Sequence, residues 1–86
     1  MLEFITKQNK NEDLVEQFNV YVNGRIVGGV DIYDPNDEAF SEEERKDVAK
    51  NPVQLILDCH DKVIRPMNFP SLDSVKKFLE YLFYIL

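Results

Sequence analysis

At 86 residues, 44% of them hydrophobic and 30% charged, the chain is sized for a single compact α+β domain over 1–86 around one modest core. A formal net charge of −6 disfavours contact with nucleic-acid phosphate or anionic membrane, and a lone cysteine excludes an internal disulfide and favours a reducing compartment. No signal peptide is legible in MLEFITKQ and the apolar run 81–86 falls far short of the ~20 residues of a membrane span, so a cytoplasmic protein is expected.

Leu2, Phe4 and Thr6 alternate with Glu3 and Ile5, which predicts a strand over 2–7, and the polar KQNKNED that follows is turn material. Phe18, Val20 and Val22 alternate in a second strand over 14–22. Asn23-Gly24 then joins it to RIVGGVDIY, because a type I′ turn needs two residues at positive φ. Counting from a two-residue loop sets Val22 opposite Arg25, Val20 opposite Val27, Phe18 opposite Gly29 and Tyr21 with Ile26. In that strict register Val30 and Ile32 miss the face of Val20, and Gly28-Gly29 is the place for a bulge that would switch them.

Asp34-Pro35-Asn36-Asp37 is a turn by composition, and Ser41-Glu42-Glu43-Glu44 has the spacing of a capping box that opens a short acidic helix over 42–50. The helix stops at Asn51, since the residue before Pro52 is biased away from helical angles. VQLIL at 53–57 reads as a buried strand, 58–62 as a turn, and 63–69 as an extended segment that Pro66 confines to an edge or bulge. Ser71 caps the last helix, whose Leu72, Val75, Phe78, Leu79, Leu82, Phe83 and Leu86 share an arc of about 140°. Tyr81, Tyr84 and Ile85 lie off that stripe, so the last turn is apolar nearly all round and needs cover from the chain or from a partner. Together these elements predict an antiparallel sheet of four to five strands in sequence order, a β-hairpin meander with the C-terminal helix packed on one face and the acidic helix in the middle.

The charge is segregated. Residues 31–47 hold eight of the sixteen acids and two of the ten basic residues, so this segment carries the whole net charge of −6. Its oxygen ligands fail the EF-hand pattern, with Ala39 where glycine and Arg45 where the bidentate glutamate belong. Asp58-Cys59-His60-Asp61 is the one reactive cluster, and consecutive strand residues point to opposite faces, which suits neither a metal nor a nucleophile–base pair. No metal, no cofactor and no catalytic residue are expected.

The hairpin VNGRIVGGVDI resembles the central hairpin of the GNAT acetyltransferases over about 16 residues; the family's glycine-rich pyrophosphate loop, Q/R-x-x-G-x-G/A, is absent, and no activity is carried over. By size and charge the chain is similar to the small acidic counter-defence proteins of phages and mobile elements. The expected function is therefore a non-enzymatic inhibitor or regulator that occupies a basic, nucleic-acid-binding surface of a target protein. Asp34, Asp37, Glu38, Glu42, Glu43 and Glu44 supply the charge, without direct contact to nucleic acid or membrane. The alternative is a self-associating subunit-type module, a homodimer through the terminal helix, with Tyr81, Tyr84 and Ile85 as anchors.

Overall fold

Asn23 and Gly24 sit at φ 52° and 82°, the left-handed conformation that a tight hairpin turn demands. In the computed structural model, which describes residues 1–59, 62, 63 and 66–83, the elements are β1 (Leu2–Thr6), β2 (Leu14–Val22), β3 (Arg25–Tyr33), α1 (Glu42–Lys50), β4 (Val53–Cys59), β5 (Lys62–Val63), β6 (Met67–Phe69) and α2 (Leu72–Phe83). The sheet is antiparallel in the order β1-β2-β3-β4, and its fifth position is shared by β5 and β6, both paired with β4. This is the expected α+β meander. Pro66 falls between those two short pieces, where its missing N–H and fixed φ break the ladder at the least cost.

The hairpin register departs from simple counting after its first two pairs. Val22 faces Arg25 and Tyr21 faces Ile26 as expected, but Val20 then faces Gly28 and Phe18 faces Val30. One extra residue on β3, Val27, makes the difference. The physical reason is the core. The shift brings Val30 and Ile32 onto the face of Phe18 and Val20, where Leu55 opposite Val30 and Val53 opposite Ile32 extend the layer into β4. Val20, Val30, Leu55, Leu57, Val75 and Leu79 are fully buried there. Leu2, Phe4, Phe69 and Phe78 pack around them, with Phe69 and Phe78 in contact at 5.3 Å between ring centroids.

Helix α2 covers this layer. Ser71 caps it as predicted, its hydroxyl accepting from the Ser74 amide at 3.1 Å. Val75 and Leu79 are its buried residues, while Leu82, expected on the core stripe, is 48% exposed. Cover is deepest over the first two turns and thins in the last. The opposite face of the sheet exposes Ile5 and Ile26, paired respectively with Asn19 and Tyr21.

The glycine pair answers a steric demand within the sheet. A Cβ on Gly28 would lie 2.1 Å from the Ile56 carbonyl oxygen and 3.0 Å from the Leu57 Cα, whereas one on Gly29 would meet the Phe18 carbonyl at 3.3 Å. Backbone atoms cannot rotate aside, so β3 and β4 would have to separate. Gly28→Ala is expected to cost about 1–3 kcal/mol, as other overpacked sites do, and Gly29→Ala less. Urea unfolding of the two variants side by side checks this; equal midpoints would refute the close approach.

Candidate functional site: an acidic surface and an adjoining cavity

The acidic loop is shaped by its own carboxylates. Asp34 Oδ1 accepts from the Asn36 amide at 2.9 Å and Asp37 Oδ1 from the Ala39 amide at 3.0 Å. The backbone turns over with Asp37 N donating to Asp34 O at 3.1 Å and Phe40 N to Asp37 O at 3.2 Å. Such Asx turns fix the loop and engage one oxygen of each of these half-buried carboxylates.

Two further acids join it from a distant part of the sequence. Leu14 pairs with Tyr33 at the open end of the hairpin, and Glu12, Asp13, Asp34 and Asp37 thereby line one shallow cavity of about 270 Å³ with Leu14 and Val15. Glu12 and Asp13 were absent from the acidic set drawn from charge runs. The signal was nonetheless present, because counting outward from Asn23-Gly24 leads to Leu14 opposite Tyr33. Val15, the extra residue on β2, compensates for Val27 on β3 and restores that count. Asp31 stands apart from this group, since its Oδ1 accepts from Gln17 Nε2 at 2.9 Å.

Of the other predicted acids, Glu38, Glu42 and Glu43 are exposed, and Glu44 is held in the capping box. The Glu44 amide donates to Ser41 Oγ at 3.2 Å while Glu44 Oε1 accepts from the Ser41 amide at 2.9 Å. The Ser41 amide foremost, and its hydroxyl second, hold the Glu44 carboxyl below its ordinary 4.5. A carboxyl depressed in the folded state adds stability above its unfolded value and loses it as pH falls through the folded one. Ser41→Ala is expected to cost about 1 kcal/mol, the usual worth of an N-cap. Amide exchange should speed up across 42–50 in that variant at neutral pH, and most of the difference from wild type should persist in acid, because the lost bond from the Glu44 amide to Ser41 Oγ does not need an ionised carboxylate and the Ser41 amide that chiefly holds Glu44 is retained. Unchanged exchange at neutral pH would show that the cap does not hold α1.

Beside the acidic loop, α1 and the sheet flank a second, open cavity of about 430 Å³, lined by Tyr33, Phe40, Asp47, Asn51, Gln54 and Asn68, with Val48 on its helix side. Tyr33 and Phe40 meet edge to face with centroids 6.1 Å apart. The Tyr33 hydroxyl donates to Gln54 Oε1 at 3.0 Å. Burial, with Asp31 adding to it, pushes the Tyr33 phenol above its ordinary 10.0, so the hydroxyl keeps its proton for that bond. Nothing in the charge pattern pointed to this cavity, whose walls come from a strand end, a loop, a helix and two further strands.

The second predicted surface is described in part. Tyr81 is 82% exposed on α2; Tyr84 and Ile85 lie outside the described residues, as do His60 and Asp61. Cys59 ends β4. Among the described residues no three cysteine, histidine or carboxylate groups are placed to hold a metal ion, so the grouped carboxylates do not form a chelate. No helix of the described residues is long and apolar enough to cross a membrane. No protein-family model, no curated protein and no solved structure matches this chain.

Proposed function

We propose that the chain is a non-enzymatic protein-binding module that occupies a basic, nucleic-acid-binding surface of a target protein. In this reading it is an inhibitor or regulator of the phage or mobile-element counter-defence type, acting in the cytoplasm. The observation that carries the reading is the grouping of Glu12 and Asp13 with Asp34 and Asp37 in one concavity. Like charges held together oppose folding, and a basic partner relieves that repulsion. Among the described residues no ion pair joins these four acids, the salt bridge found being Lys77–Asp73 on α2, although the Lys10 ammonium donates to the carbonyl of Leu14, which lines the same cavity, at 2.7 Å. Glu38, Glu42 and Glu43 add exposed charge beyond the cavity.

Immobilised chain exposed to extract of its source cells at low salt tests this reading. The retained proteins are expected to be basic nucleic-acid binders that excess duplex DNA or RNA displaces. They should also leave as the screening length shrinks from about 10 Å at 0.1 M salt to about 3 Å at 1 M. Retention indifferent to both salt and nucleic acid would overturn it. A second reading, self-association through α2, rests on the exposure of Tyr81 and Leu82. It requires a salt-resistant dimer that Tyr81→Ser dissociates.

A further inference from the structure

The cavity between α1 and the sheet combines features that an anion or a purely apolar ligand does not need. It offers two aromatic rings, the carboxylate of Asp47, and the side-chain amides of Asn51, Gln54 and Asn68. Among the described residues the side chains of Asp47, Asn51 and Asn68 make no hydrogen bond or salt bridge, and Gln54 is engaged through the one bond from Tyr33. Asp47 is exposed, and Arg45, two residues before it, does not line the cavity. Its volume of about 430 Å³ is in the ordinary range for a ligand pocket.

We infer that this cavity receives a single arginine side chain of the protein partner. The inference rests on the acidic-surface reading and names the anchor within it. A guanidinium is planar and weakly hydrated, it stacks on aromatic rings, and its five N–H groups need several acceptors in one place. Tyr33 and Phe40 supply the rings, Asp47 the countercharge, and the three amide oxygens the remaining acceptors. A lysine ammonium is compact and strongly hydrated, so it gains less from the rings and the flat acceptor set. The acidic loop draws in a basic surface at long range, and the cavity fixes which residue of that surface is held.

The test uses N-acetyl-arginine amide and N-acetyl-lysine amide as probes, followed through the side-chain amide signals of Asn51, Gln54 and Asn68 in nitrogen–proton correlation spectra. The arginine probe is expected to shift these signals saturably, and the lysine probe to do so several-fold more weakly. Asp47→Asn, a change at an exposed position that preserves shape, should weaken the arginine probe roughly tenfold, the worth of one charge-assisted hydrogen bond. Phe40→Leu should weaken it independently of charge. The double variant D34N/D37N should leave it within about twofold, because those carboxylates lie outside the cavity and act through screened solvent. No saturable shift at the three amides, equal binding of the lysine probe, or indifference to both Asp47→Asn and Phe40→Leu would overturn the inference. Salt-sensitive retention of a basic partner by the D47N chain would then leave the acidic-surface reading standing. Loss of that retention in D34N/D37N with arginine binding intact would separate the two the other way.

Discussion

Leu55→Ala is expected to lower the unfolding free energy by about 2–5 kcal/mol, the range for truncating a large buried aliphatic side chain. Leu55 is fully buried, paired with Val30 on one side and Met67 on the other, under the helix whose Val75 and Leu79 belong to the same cluster. A β-strand side chain locked by both neighbouring strands has no way to collapse into the space left behind. At roughly 0.05–0.15 kcal/mol per residue, a domain of this length holds about 4–13 kcal/mol in all, so this one change removes a large share. Urea unfolding followed by circular dichroism should show a much lower midpoint with an unchanged slope. Ile26→Ala is the control, on the face away from α2 and 57% exposed, with an expected cost of about 0.5 kcal/mol or less. Equal costs for the two would contradict the assignment of the core to the α2 side of the sheet.

Neutralising the acidic surface has the second large expected effect, on binding rather than stability. In a chain carrying E12Q, D13N, D34N, D37N, E42Q and E43Q, affinity for an oligolysine peptide is expected to fall more than 100-fold at low salt. Six charges at about 0.5 kcal/mol each, four of them exposed and those of Asp34 and Asp37 half-buried, supply that loss. Asparagine keeps the side-chain oxygen that accepts from Asn36 and Ala39, so the loop retains its turns. The unfolding midpoint should therefore change little, because relief of repulsion offsets the loss of the Glu42 and Glu43 charges from the first turn of α1, where the helix dipole favours them. Calorimetric titrations at several salt concentrations check this, because wild type and variant should converge as screening increases. A variant that binds oligolysine as tightly as wild type at low salt would show that the field does not come from these residues.

How much of this was legible in the sequence divides by the range of the interaction involved. Local chemistry reads directly: the Asn23-Gly24 turn, the Ser41 box, the Ser71 cap and the stop before Pro52 each depend on a few neighbouring residues, and each stands where expected. A bulge that turns Val30 and Ile32 onto the face of Val20 was legible, but it was placed at Gly28-Gly29, whereas the extra residue is Val27, a position set by the need to bury Val30 and Ile32 against β4, a tertiary demand. The same limit applies to the candidate site. A charge run names Asp34, Asp37 and Glu38 but not Glu12 and Asp13, which arrive by pairing across the hairpin. The cavity between α1 and the sheet was hidden more completely, since Tyr33, Phe40, Asp47, Gln54 and Asn68 form no pattern until the sheet and α1 bring them together.

Static light scattering on the complex captured from source cells tests the central claim most directly, with salt raised stepwise and duplex DNA added as competitor. A heterocomplex that separates, at high salt or with DNA, into monomeric chain and a basic nucleic-acid-binding protein is the expected result. A salt-resistant homodimer with no basic partner at any salt concentration would contradict the claim and shift the function to the tyrosine-bearing helix α2.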